Sequence, residues 1–335
     1  MQYKAVTGKW LVVVTLVSIF FGGIVYGLAK PVVSNAKDAI IITVKPGMAA
    51  DDIGTLLYQQ GIINNPFIFH MVARMQGMEN SLKAGDYALT PDMTVPKIVA
   101  ILSKGDSAYR QLTIPEGYTI EQIANLLQEK QLGSAVNFKS AAKNFAPYEY
   151  MNASKPDVKY KAEGYVFPDT YRISRGITEE QLLSMLVMQF NKEFTPALQT
   201  RASEIGLTIR EVVILASLVE KEAQLERDRP LIAGVFLNRL RKDMPLQSCA
   251  TIQYILGYPK PELTVQDTEI DSAYNTYQHM GLPPGPIANP GMAAIQAVLF
   301  ATDTDYLYFV ADRQGAHHFS KTYEEHLATI EQVRG

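Results

Sequence analysis

TIREVVILASLVEKEAQ, residues Thr208 to Gln224, is the stretch on which the reading of the fold turns. It opens with Thr208 and Glu211 in the T-x-x-E spacing of a capping box, so a helix should start there with a well-fixed N-terminus. Projected at about 100° per residue with Val213 at zero, Ile209 falls at about -40°, Ala216 at about -60° and Glu220 at about -20°. Glu220 therefore lies inside an apolar stripe. Glu222 projects at about 180°, beside Glu211, where a solvated residue belongs. Lys221, Glu222 and Glu226 read accordingly as a solvated helix end. A carboxyl in apolar surroundings has its charged form disfavoured and its pKa raised, as a general acid requires. On this reasoning Glu220 is the better candidate acid. The competing reading is that Glu220 pairs with a buried arginine such as Arg239 and ties helices together.

Leu231 to Leu240, LIAGVFLNRL, is apolar at helical spacing, mostly core, with Asn238 and Arg239 at its end. Leu246 to Tyr254, LQSCATIQY, gathers small hydroxyl and amide groups that suit sugar hydroxyls and equally suit helix capping. Tyr274 to Gly291, YNTYQHMGLPPGPIANPG, is too rich in proline and glycine for regular structure and should be a long loop. Its start, Tyr274-Asn275-Thr276-Tyr277, offers aromatic faces and amides to a carbohydrate; its alternative role is a cover over the core. A Cys249 nucleophile working with His279, His317 or His318 is conceivable but has no flanking signature.

The remaining sequence sets these residues in a larger frame. With 335 residues, 47% of them hydrophobic and 19% charged, the chain can bury two cores. A net charge of -3 leaves no basic surplus for a nucleic-acid backbone. The one cysteine excludes an intramolecular disulfide, and no Cys/His cluster has zinc spacing. Trp10 to Ala29 carries no charge and is long enough to cross ~30 Å of hydrocarbon as a helix. Residues 1–9 would be a cytoplasmic tail, 10–29 the span and 30–40 a linker, and the large remainder would face outward. A cleaved signal peptide is the alternative reading of that span.

After the linker, residues 41–104 read as a small α+β module. The expected elements are a strand over Ala39 to Val44, a helix from Asp51 or Asp52, a helix over Pro66 to Met75, a strand over Gly85 to Leu89 and a helix over Thr94 to Ser103. Residues 108–335 read as a larger α+β domain ending in a helix from Glu324. Thr43 to Leu57 is echoed about 70 residues later by Thr113 to Leu127, the same strand, glycine turn and helix twice.

In order along the chain, PEGYTIEQIA (115–124), EGYVFPDTY (163–171), ASLVEKEA (216–223), VFLNRL (235–240), LQSCATIQY (246–254), YNTYQHMGLPPGPIANPG (274–291) and YLYFVAD (306–312) resemble the MltG/YceG endolytic lytic transglycosylases. The resemblance covers nearly the whole chain. It implies a YceG-like catalytic domain over 108–335, a LysM-like module over 41–104, and an anchor in the plasma (inner) membrane with the catalytic domain outside. The implied activity is cleavage of the MurNAc–GlcNAc β-1,4 bond within peptidoglycan strands, leaving 1,6-anhydro-MurNAc ends and terminating nascent strands. The family's catalytic glutamate falls on the first Glu of VEKE, Glu220. Substrate contacts would come from Gln247, Ser248, Thr251, Tyr254, Asn275, Thr276, Tyr277 and Asn238. Cys249 departs from members that carry Asp there, which argues against a second catalytic carboxylate at that position. Neither metal nor cofactor is expected, and peptidoglycan synthases are candidate partners. The rival activities are a hydrolytic muramidase using Glu163, Asp169 or Asp271 as second carboxylate, and a wall-binding scaffold without catalysis.

Overall fold

The computed structural model describes residues 31–32, 38–152, 157–174, 176–260 and 262–334. The expected span at 10–29 and the tail before it lie outside the described residues. Among the described residues no helix is long and apolar enough to cross a membrane. Two compact units divide the chain: one runs to Gln111 and adds Arg172–Gly176, and the other comprises Leu112–Tyr171 and Ile177 onward. The division differs from a single cut near residue 105 because a short segment after Tyr171 joins the first unit.

The first unit is built from β1 (Ile40–Val44), α1 (Ala50–Gln59), α2 (Pro66–Met75), β2 (Gly85–Leu89) and α3 (Val95–Lys104). β1 and β2 pair antiparallel with Ile42 opposite Tyr87. Alternation along β1 sends Ile42 and Val44 inward, where they meet Ile53, Leu57, Phe69, Leu89 and Ile98 in one buried cluster. Asn65 accepts from the Phe67 amide at 2.9 Å and Pro66 follows at the first helical position, which is why α2 starts where it does. The mixed α+β character expected from the sequence holds here.

β3 (Tyr109–Thr113) pairs with β4 (Thr170–Ser174), and between them lie α4 (Ile120–Glu129) and α5 (Ala135–Asn144). This repeats the strand, helix, helix, strand order of the first unit. Gly47 and Gly117 both take positive φ in the turn after the strand, +83° and +72°. Each first helix is closed alike, by Ile62 donating to the Leu57 carbonyl at 2.9 Å and Leu132 to the Leu127 carbonyl at 2.8 Å. The sequence echo is thus a structural one.

The second unit continues through α6 (Glu179–Glu193), α7 (Pro196–Glu204), α8 (Ile209–Glu222), α9 (Arg229–Arg241), α10 (Cys249–Leu256), α11 (Val265–Thr268) and α12 (Met292–Leu299). It closes with the antiparallel hairpin β5 (Tyr308–Ala311) and β6 (His317–Ser320), then α13 (Tyr323–Arg334). α8 is the central pillar: every residue from Val212 to Val219 is buried, with α9, α10 and α12 packed on it. Its capping box forms as expected, Thr208 Oγ accepting from the Glu211 amide at 3.2 Å and the Glu211 carboxylate accepting from the Thr208 amide at 2.8 Å.

Candidate functional site

At the C-terminal end of α8 the two glutamates of VEKE enter different surroundings. Glu220 is 7% exposed, and both its oxygens are engaged within the protein. One accepts from the Gly291 amide at 3.0 Å and the other faces the Arg229 guanidinium at 3.4 Å. The glutamate is therefore an ion-paired tie between α8, the start of α9 and the end of the long loop. The partner is Arg229, not Arg239. Glu116, in the turn that covers Glu220, sits in the same cluster; burial first, and Glu220 second, push its carboxyl up from the ordinary value.

Glu222 does not lie at a solvated helix end. It lines a hollow of about 500 Å³ together with Arg239, Gln247, Cys249, Tyr277, Tyr308 and His317. The helical projection misplaces it because α8 has no solvent face between Val212 and Val219, all of whose residues are buried, and Ser248 reaches over to bond Glu222 where it emerges. Burial raises the Glu222 pKa. Against that act the Ser248 hydroxyl, the Ala250 amide, His317 and Arg239, in that order. Ser248 is the N-cap of α10, yet its side chain makes no capping bond; it donates to Glu222 instead. The Glu222 carboxylate takes the cap's place at the positive end of α10, a setting that favours its anionic form.

Arg239 supplies a fixed positive charge beside this carboxyl. It is held by the carbonyls of Leu307 at 2.6 Å and Leu246 at 2.9 Å and stacks over the Tyr308 ring at 5.1 Å. Gln247 reaches the hollow on a left-handed backbone, φ +47°, unusual for a residue with a side chain. Its amide is anchored to the Thr276 carbonyl at 3.0 Å. Cys249 Sγ meets the Tyr277 hydroxyl at 3.1 Å, and the His317 ring faces Asp228 at 3.2 Å.

The other expected substrate contacts divide sharply. Gln247, Ser248 and Tyr277 converge on Glu222. Tyr254 faces an adjoining hollow and donates to Glu163 at 3.2 Å. Thr251 and Thr276 are buried, joined Oγ to Oγ at 3.0 Å, and Thr276 also receives the Ser248 amide at 3.0 Å. Asn275 is buried, donating to the carbonyls of Thr268 and Ile270 at 3.0 and 2.8 Å. Asn238 donates to the carbonyls of Thr304 and Tyr306 at 2.6 and 3.1 Å and lines a separate hollow with Arg201 and Gly234. These four polar groups hold backbone; they do not face the Glu222 hollow.

The carboxylates considered as a second catalytic group are also elsewhere. Glu163 is fully buried, accepting from Ile120 at 3.0 Å and Asn289 at 3.1 Å, and burial pushes its carboxyl up to about 8. Asp169 and Asp271 are exposed, and neither lines the hollow. The loop at 274–291 covers the core along its second half and reaches the hollow at its start. Pro283 to Gly291 is buried, with Asn289 bracing it to Tyr118, while Tyr277 faces the hollow.

The sequence profile of the YceG-like family matches residues 42–332. A protein of Streptococcus pneumoniae strain D39 named endolytic murein transglycosylase is 35% identical over 96% of this chain, which spans 64% of that relative's length. A Bacillus subtilis protein of the same name is 32% identical, covering 92% of this chain and 89% of the relative. Among solved structures, a putative yceG-like protein of Listeria monocytogenes superimposes with a TM-score of 0.60 at 33% identity, over 88% of this chain and all of that one.

Proposed function

The chain belongs to the YceG-like family, and on that premise we propose that it is an endolytic peptidoglycan lytic transglycosylase whose proton donor is Glu222. Its reaction would cut the MurNAc–GlcNAc β-1,4 bond inside glycan strands and leave 1,6-anhydro-MurNAc ends. The names carried by the pneumococcal and Bacillus relatives support the reaction class. The observation that carries it in this chain is the composition of the hollow: among the described residues lining it, Glu222 is the sole carboxylate.

A hydrolytic glycosidase ordinarily works with two carboxylates about 5–9.5 Å apart, one of them serving as nucleophile or base for water. A lytic transglycosylase reuses one. Glu222, whose burial raises its pKa, would give its proton to the glycosidic oxygen as the C–O bond breaks. The resulting carboxylate, favoured by Ser248, the Ala250 amide and the Arg239 charge, would then take the proton of the MurNAc C6 hydroxyl as that oxygen attacks the anomeric carbon. The proton returns to Glu222 and no water is consumed. Gln247 and Tyr277 stand where they could orient the sugar. Glu220, an ion-paired carboxylate, is better suited to fixing the end of α8 than to donating a proton.

The uncharged, largely apolar run Trp10 to Ala29 supports an anchor in the plasma (inner) membrane with the tail inside and the enzyme outside. The strand, helix, helix, strand build of the first unit supports its role as a LysM-like module holding glycan near the membrane. An anchored cutter of this kind would meet strands as they emerge from peptidoglycan synthases and end their elongation. Mass spectrometry of digested strands tests the reaction. Internal fragments with anhydro ends are expected; water-added reducing ends would make the chain a muramidase, and intact strands would make it a binding protein.

A further inference from the structure

The hollow around Glu222 continues past Lys221. Lys221 and Gln253 line it and also line a second hollow of about 230 Å³, whose walls include Asn125, Tyr254 and Tyr258. Those walls offer side-chain amides and phenols, groups that hydrogen-bond sugar hydroxyls and N-acetyl groups while stacking on ring faces. Tyr258 is 55% exposed and presents its ring at the rim. Two ammonium groups are present. Lys159 already pairs with Glu121 at 3.3 Å. Lys221 has no carboxylate partner among the described residues; its Nζ reaches the Gly117 carbonyl at 3.4 Å.

An unpaired ammonium beside the cutting carboxyl, between two hollows, is placed to receive an anion carried by the substrate. In the glycan strand of the proposed function, anionic charge enters through the MurNAc lactyl group. It is the lactyl carboxylate itself in a peptide-free strand, or a carboxylate of the stem peptide attached there. We propose that the second hollow is a saccharide subsite beyond the scissile bond and that Lys221 is its specificity-determining residue, holding a carboxylate borne on the lactyl substituent. The proposal rests on the glycan-cutting reading and explains how the chain holds a strand on both sides of the bond it breaks.

Calorimetry on the full chain carrying Glu222→Gln, which leaves strands uncut, tests it with three probes: a peptide-free MurNAc–GlcNAc tetrasaccharide, the same tetrasaccharide with stem peptides, and a GlcNAc tetramer that has no carboxylate. Expected is tighter binding of at least one MurNAc probe than of the GlcNAc tetramer, and whichever MurNAc probe shows it identifies the source of the carboxylate. Adding Lys221→Gln should lower that affinity roughly 5-fold, as loss of one solvent-exposed ion pair predicts, and leave the GlcNAc tetramer unchanged. Adding Asn125→Ala should weaken all three probes. Equal effects of Lys221→Gln on all three probes, or none on any, would overturn the proposal. Failure of the wild type to cut strands, with this binding pattern intact, would remove the enzymatic reading alone.

Discussion

The Ser248 hydroxyl donates to the Glu222 carboxylate although Ser248 stands at the N-cap of α10, where its side chain would ordinarily serve its own helix. That bond stabilises the ionised form of Glu222 and so opposes the upward push of burial. Removing it with Ser248→Ala leaves burial less opposed, and the Glu222 pKa should rise further. A general acid is active while protonated, so the alkaline limb of the pH–rate profile should move to higher pH in the variant. A limb that stays in place, or moves to lower pH, would show that another group sets it.

Glu220 makes a different prediction. Glu220→Gln keeps an acceptor for the Gly291 amide and removes the charge facing Arg229. The expected loss is about 1–3 kcal/mol of folding stability, measured by denaturant titration, because a buried charge-assisted contact is broken. Glu226 and Glu116 remain near Arg229 and limit the cost. The folded variant should retain activity.

How much of this was legible in the sequence depends on the range of the interaction. The start of α8, the Asn65–Pro66 start of α2 and the doubled strand–turn–helix unit are local, and capping and periodicity predicted them. The environment of Glu222 is not local. A helical projection assumes that a helix with one apolar stripe has a wet opposite face; between Val212 and Val219 α8 has none, and contacts with residues 26 and 71 positions away close over its end. The hint lies in the run VVILASLV, apolar but for Ser217, which suits a helix covered on all sides better than one with a single buried stripe.

Thr251, Asn275, Thr276 and Asn238 bond within the fold for a related reason. Residue type reports that a side chain will hydrogen-bond, without saying to what. Asn238 finds carbonyls at Thr304 and Tyr306, and Asn275 finds those at Thr268 and Ile270. Glu116 went unnoticed because its turn reads as a simple strand-to-helix connection. Only the fold brings it against Glu220.

Glu163 should govern how stability varies with pH. Its folded-state pKa is raised from 4.5 to about 8, so the native state holds a proton that the unfolded chain has already released. Stability from this group is fully present below about 4.5 and is lost as pH rises through about 8. Glu163→Gln, which can still accept from Ile120 and Asn289, should flatten that decline and raise the melting temperature at alkaline pH relative to wild type. Parallel melting curves for the two proteins from acid to alkaline pH would refute this.

Gly164 is required by both conformation and space. Its φ is +87°, and an added Cβ would lie 2.4 Å from Pro286 Cγ and 2.8 Å from Val213 Cγ1. Left-handed strain of about 1–2 kcal/mol and overpacking of about 1–3 kcal/mol act together in Gly164→Ala. Chemical denaturation should show a loss of roughly 2–5 kcal/mol; a loss under 1 kcal/mol would mean the loop shifts freely away from α8.

The central claim is that Glu222, rather than Glu220, gives the proton. Glycan strands digested in parallel by the wild type, Glu220→Gln and Glu222→Gln, with folding of each checked by circular dichroism and products read by mass spectrometry, test it directly. The account predicts anhydro-ended internal fragments from the wild type and from Glu220→Gln, and a fall of about 10²–10⁴ in rate for Glu222→Gln. Near-normal cutting by Glu222→Gln, with none by a folded Glu220→Gln, would contradict it and return the role of acid to Glu220.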